Sequence, residues 1–342
     1  MKAVVVHAPD RVEVVERPAP VPGPGDLLVA MRAVGLCGSD TTAWYVATKA
    51  PAVLGHETAG VVVEAGPGVT AFRPGDRVFV HHHAPCGSCR ACARGDSVMC
   101  PAWKPNRLDP GGLAELVRVD AAAVAADTLK LPDGLGFDDG ALVEPLACAV
   151  KAVARARVLP GDSVLVVGTG SNGVLLGLLA RRAGAARLLG SDPDPARRRL
   201  ALGFGFDEVF DPAEPGLPAR VRGATGGGGA DAVLVVPTAE QAVQAAVASA
   251  APGGRVVFYS PVSPDAVWRL APSEPYFRDL TLAFSYSSGP AETRAALALL
   301  EEGVVSARRL VTHRLPIERA AEAFRLARAG GEVLKVLVEI GP

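Results

Sequence analysis

Up to about Asp120 the apolar residues fall in short runs separated by Pro and Gly. The pattern predicts β segments at Lys2–Val6, Val12–Glu16, Leu27–Ala33, Gly60–Glu64, Arg77–Val80 and Ala114–Val119. From Ala141 the period changes. A helical stretch to about Val158 leads into apolar strands alternating with amphipathic helices: Ser163–Val167, Gly173–Arg182, Arg187–Gly190, Pro195–Leu202, Ala232–Val236, Glu240–Ala250, Arg255–Phe258 and Leu280–Phe284. Strand-helix alternation predicts an α/β fold with a parallel, doubly wound sheet. Two more helices, Ala291–Glu302 and Ile317–Arg328, and a strand, Val333–Ile340, follow Ser285, and on pattern alone that tail fits either domain.

At 342 residues the chain exceeds what one hydrophobic core usually organises, which predicts two domains. Hydrophobic residues at 49% and charged residues at 21% are the composition of a globular protein. A net charge of −1 offers no general attraction to nucleic acid or acidic lipid, so function is expected in a local site that takes a small molecule. Met1–Val6 is too short, and too soon followed by Asp10, Arg11 and Glu13, for a signal peptide. The uncharged run Ser163–Ala180 is broken by four glycines and is read as strand, loop and helix, with no membrane segment expected. Six cysteines, four of them clustered, point to metal binding in a reducing, cytoplasmic setting more than to disulfides.

Cys86, Cys89 and Cys92 are spaced by two residues each, and Cys100 follows after seven more. Four thiolates from one loop can converge tetrahedrally on zinc. A closed four-cysteine shell leaves no position for substrate, so the expected role is structural. The alternative is four small apolar side chains in a packed loop, which the regular spacing disfavours.

Gly168-Thr169-Gly170-Ser171-Asn172-Gly173 follows an apolar strand and opens a helix with Val174, Leu175, Leu178 and Leu179 on it. In that placement the glycines let backbone N–H groups approach a pyrophosphate at the positive helix end. Asp192, just beyond the second strand, is positioned to accept from both adenosine ribose hydroxyls and to repel a 2′-phosphate, which favours NAD over NADP. Arg197, Arg198 and Arg199 speak the other way as phosphate partners, though a solvated helix face is the simpler reading.

Cys37 lies in Gly35-Leu36-Cys37-Gly38-Ser39-Asp40, His56 and Glu57 in Gly55-His56-Glu57-Thr58-Ala59-Gly60 continuing to Gly66 and Val69, and Glu144 in Leu142-Val143-Glu144-Pro145-Leu146. Singly each has a plain alternative: a buried cysteine, a core or surface histidine, a glutamate capping the helix that follows. Together, and with the cysteine loop, these segments resemble the zinc-dependent medium-chain alcohol dehydrogenase family over nearly the whole chain. The Glu-Pro-Leu motif is most like its sorbitol, threonine and glucose dehydrogenase branch.

The resemblance implies a GroES-like β-rich catalytic domain over residues 1–147, a Rossmann dinucleotide-binding domain over 148–285, and a return to the catalytic domain over 286–342. It implies one catalytic and one structural zinc, with Cys37 and His56 ligating the catalytic ion, Glu57 a ligand or near neighbour, and Glu144 a ligand directly or through water. Ser39 matches the hydroxyl residue that passes the substrate proton away, or else closes its own turn. The implied reaction is reversible oxidation of a secondary alcohol in a polyol, sugar or related compound to a ketone by hydride transfer to NAD, in a homo-oligomer, dimer or tetramer.

This chain departs from the sorbitol and threonine enzymes in a shorter stretch between Cys37 and His56, and in Thr41 and Thr42 where a histidine is often found, so its pocket is not expected to copy theirs. His83 sits where threonine dehydrogenases carry a histidine near the substrate. His81 and His82 are expected in surface or packing positions, and Cys148 in packing; His7 and His313 support no functional reading. The competing functions are a non-catalytic nucleotide-binding relative, disfavoured by Cys37, His56, Glu57 and Glu144, and a zinc-free NADPH-dependent reductase, disfavoured by the cysteine loop.

Overall fold

The apolar runs of the first third become strands β1 (Lys2–Ala8), β2 (Arg11–Glu16), β3 (Leu27–Gly35), β4 (Ala52–Val53), β5 (Glu57–Ala65), β6 (Arg77–Val80), β7 (Leu108–Asp109), β8 (Leu116–Val119) and β9 (Thr128–Lys130). The computed structural model describes residues 1–341. It divides into two compact units, one of Met1–Ala147 with Ser287–Ala329 and the segment from Val333 on, the other of Cys148–Tyr286 with Gly330–Glu332.

In the first unit β2, β1 and β4 form a small antiparallel sheet. The larger sheet is organised on β3, where Ala30 and Arg32 are only partly buried while Leu27, Val29, Met31 and Val34 are all fully so. They pack with Val78 and Val80 of β6, Leu113, Val117 of β8 and Phe324 of helix Ala320–Ala329. Each such side chain contributes about 1.5–3 kcal/mol relative to leaving it exposed. The antiparallel register of β3 with β5 sets Gly35 opposite Glu57. A Cβ on residue 35 would stand 1.9 Å from Glu57 Oε2, so only glycine lets the carboxylate lie across the neighbouring strand.

The second unit holds β10 (Ser163–Val167), β11 (Arg187–Ser191), β12 (Glu208–Phe210), β13 (Ala230–Val235), β14 (Ala250–Phe258) and β15 (Thr281–Phe284). All are parallel, in the order β12-β11-β10-β13-β14-β15. Helices Ser171–Arg182, Pro195–Gly203, Leu217–Ala224 and Glu240–Ser249 make the crossovers. The order reverses between β10 and β13, which puts the ligand-binding crevice of such a sheet at the carboxyl end of β10. This is the doubly wound architecture that the alternation predicts.

After it come β16 (Val311–Pro316) and β17 (Lys335–Glu339). β17 lies antiparallel on β3, with Leu337 opposite Gly35, so the closing strand completes the first unit's sheet. Among the described residues no helix is long and apolar enough to cross a membrane.

Candidate metal centre and dinucleotide site

Three neighbouring positions of the first unit converge. Cys37 ends the loop after β3 and opens the short helix Gly38–Thr41, while His56 and Glu57 stand at the start of β5. One ligand atom from each of Cys37, His56 and Glu57 lies within 4.8 Å of the other two.

Asp40 holds the first two in place. Its Oδ2 accepts from the backbone N–H of Cys37 at 3.0 Å, and its Oδ1 lies 3.5 Å from His56 Nδ1. Burial raises the Asp40 carboxyl, but His56 and the Cys37 amide outweigh it and leave the group below the usual aspartate value. Burial likewise opposes charge on His56, and Asp40 overcomes it, holding the imidazole well above its ordinary value. A carboxylate behind a histidine fixes the ring and its tautomer, as found behind metal-ligating histidines generally.

Glu57 is fully buried, and its Oε2 forms an ion pair with Lys335 Nζ from β17. Lys335 is 2% exposed and also donates to Leu36 O at 3.1 Å. Burial pushes the Glu57 carboxyl up and Lys335 draws it back, while the lysine is held above its usual value because the Glu57 charge outweighs its own burial. Glu57 Oε1 is buried with no hydrogen-bond partner among the described residues.

Glu144, buried near the start of helix Val143–Ala156, groups with a different pair of side chains. One of its oxygens lies within 4.8 Å of a ring nitrogen of His81 and of His82. The two histidines part company. His81 is fully buried, whereas the His82 ring centroid is 4.9 Å from that of His56, which puts His82 beside the candidate metal ligands and not on the surface. Burial, with the imidazoles of His83 and His81, holds His82 well below its ordinary value, in the neutral form. The His83 ring lies 3.9 Å from that of His82, tilted by 41°, and its pKa is lowered to about 3, again chiefly by burial. Ser39 is partly exposed on helix Gly38–Thr41, two residues from Cys37.

Asp40, Lys335 and His82 are the site residues that sequence reading passed over. Asp40 had a signal in its place three residues after Cys37, where it returns to the Cys37 amide. Lys335 had one as a lone cation inside an apolar closing strand. His82 had none, since three consecutive histidines do not say which one faces inward.

The four cysteines of the loop come together, with one Sγ of each within 4.8 Å of the others. The backbone N–H groups of Cys86 and Ala102 donate to Cys100 Sγ at 3.3 and 3.4 Å. Val98, Cys100 and Trp103 form a small core beneath them.

In the second unit the glycine turn closes between β10 and helix Ser171–Arg182, for which Gly170 is the cap and Ser171 and Asn172 the first residues. Gly168 has φ +84° and donates to Ser191 O at 2.7 Å. A Cβ on Gly173 would meet Gly168 O at 1.9 Å, so this residue is what lets the helix start against the strand. Asp192 follows β11 and is 3% exposed. Its Oδ2 accepts from Thr169 N and its Oδ1 from Asp194 N, which leaves further lone pairs on both oxygens.

The three arginines are not one solvated face. Arg199 is exposed, Arg198 is bound to Asp192 O and to Asp211, and Arg197 lies beside the glycine turn, where a Cβ on Gly170 would meet its Nη1 at 3.4 Å.

Residues 23–133 match the family model of the alcohol dehydrogenase GroES-like domain, and residues 173–302 match that of zinc-binding dehydrogenases. Over 99% of its length the chain is 31% identical to sorbitol dehydrogenase of Gallus gallus, covering 96% of that protein. It is 34% identical to L-threonine 3-dehydrogenase of Pyrococcus horikoshii, over 95% of each chain. A zinc-binding dehydrogenase of Sinorhizobium meliloti, solved with NADP, superposes with a TM-score of 0.88 at 30% identity, over 99% of this chain and 98% of its own.

Proposed function

The chain belongs to the zinc-dependent medium-chain alcohol dehydrogenases, and on that premise we propose that it oxidises a secondary alcohol of a polyol, sugar or related hydroxy compound to a ketone, passing hydride to NAD. The observation that carries the reading is the convergence of Cys37, His56 and Glu57 with Asp40 behind the histidine. The donor set fits zinc: a soft thiolate, an imidazole nitrogen and carboxylate oxygen, short of a closed four-cysteine shell.

Cys37 and His56 hold the catalytic ion in this reading, with Glu57 and Glu144 as the adjoining carboxylates. Bound zinc supplies a Lewis acid that lowers the pKa of a substrate hydroxyl. Asp40 orients both Cys37 and His56. Lys335 offsets the charge of Glu57 and holds the buried carboxylate in register. Ser39, adjacent in the chain to Cys37-Gly38, takes the role of passing the substrate proton outward. Cys86, Cys89, Cys92 and Cys100 hold a structural zinc.

We assign the dinucleotide to the second unit, with Gly168, Gly170, Ser171, Asn172 and Gly173 cradling its pyrophosphate and Asp192 accepting from the ribose. The Asp192 carboxylate favours NAD. A second reading, NADP, is supported by Arg197 beside Gly170 and by the NADP of the Sinorhizobium relative. For assembly we propose a homo-oligomer joined along β15. This strand ends its sheet, and Leu282 and Phe284 on it are 38% and 58% exposed.

The test is reduction of NAD and of NADP, followed by ultraviolet absorbance, on polyols, sugars, threonine and simple secondary alcohols, with and without chelator. NAD reduction by one alcohol class, abolished by chelation, is expected. Two bound metals per chain with no alcohol oxidised would favour a non-catalytic role.

A further inference from the structure

We propose that His81, His82 and Glu144 form a third metal-binding site in the first unit, one suited to zinc or a similar borderline ion. Three observations converge. One ligand atom from each lies within 4.8 Å of the others, and His81 is fully buried and Glu144 6% exposed. Nε2 of His81 and Nδ1 of His82 are buried with no hydrogen-bond partner among the described residues, a cost that a bound ion removes. Behind His81, Asp127 Oδ2 stands 3.0 Å from Nδ1, and the other oxygen of Asp127 accepts from Thr293 Oγ1.

A carboxylate pinned behind one nitrogen of a buried histidine, with an imidazole and a glutamate near its ring, matches the outer arrangement of a metal-ligating histidine. Two imidazoles and one carboxylate are a complete set for such an ion, leaving a position for water. At metal–ligand distances of about 2.0–2.2 Å the three atoms need only a small inward movement of flexible side chains. Because Glu144 is shared with the catalytic centre, filling the site draws that carboxylate away, and excess zinc becomes an inhibitor.

Equilibrium dialysis of the full chain against rising zinc, counting ions per chain, tests the site directly. The wild type is expected to saturate at three, two tight and one weaker, and His81→Gln at two. Asp127→Asn, which keeps the shape of the packing, is expected to weaken the third ion about 10- to 100-fold, the usual consequence of losing such a partner. Saturation of the wild type at two ions, or a third ion unchanged in Asp127→Asn, overturns the proposal even if His81→Gln does not fold. The inhibitory consequence rests on the dehydrogenase reading, whereas the ion count does not. Turnover that chelation abolishes in a protein saturating at two ions would sink the third site and leave that reading standing.

Discussion

Lys335 and Glu57 show how much one residue can carry. Removing one member of a buried ion pair leaves the other charge uncompensated, a loss of about 3–5 kcal/mol, larger than the pair's net worth. Lys335→Met is therefore expected to lower unfolding stability by about that amount. Combining it with Glu57→Gln should restore a good part, because both charges then go together. Denaturant unfolding of the four proteins at saturating zinc measures the coupling, and strictly additive losses would mean the pair does not interact. That Cys37, His56 and Glu57 come together was legible through the family resemblance of their segments, and the clustering of the four cysteines through their regular spacing. Asp40 and Lys335 were harder to read, since they act through other side chains, and Lys335 meets Glu57 only through the pairing of β17 with β3.

At the scale of elements, Asp194 joins two segments. Its Oδ1 caps helix Pro195–Gly203 at Ala196 N, 2.8 Å away, and its Oδ2 accepts from Gly331 N at 2.6 Å. The Gly331 amide, foremost, and the helix amides hold its carboxyl below the usual aspartate value. A depressed folded pKa means that the contribution to stability is complete above the unfolded value, about 3.9, and is lost as pH falls through the folded one. Asp194→Asn should therefore melt below the wild type by a constant interval from neutral pH to about pH 5, an interval that narrows below about pH 4. Melting scans across that range check it, and a gap that widens in acid would contradict it. The alternation from Ser163 onward was readable because its central strands, β10, β11 and β13, are almost entirely buried and so read as continuous apolar runs. Helix Leu217–Ala224 and strands β12 and β16 were missed. β12 has three residues, the helix carries Arg220 and Arg222 in its eight, and β16 alternates buried Val311 and Leu315 with exposed polar positions too briefly to show a period. The strand predicted at Gly60–Glu64 begins at Glu57, because the apolar run hides a buried glutamate that Lys335 neutralises.

For the whole molecule, the outer edge of β15 is the feature that bears on assembly. A two-fold contact would set this edge against its own copy, covering Leu282 and Phe284 on both. Phe284→Glu places two like charges at the contact and is expected to shift the protein to a smaller species in light scattering, with its far-ultraviolet circular dichroism kept. An unchanged mass would rule out this edge as the joint.

The discontinuity of the first unit also sets a timetable for synthesis. All six strands of the second unit lie in one uninterrupted stretch, Ser163–Phe284, and can pair as soon as that stretch leaves the ribosome. β3 and β5, though made much earlier, must wait for β17, which brings the cation for Glu57. Nascent chains stalled before residue 333 are thus expected to carry a finished parallel sheet and a Glu57 still without its cation.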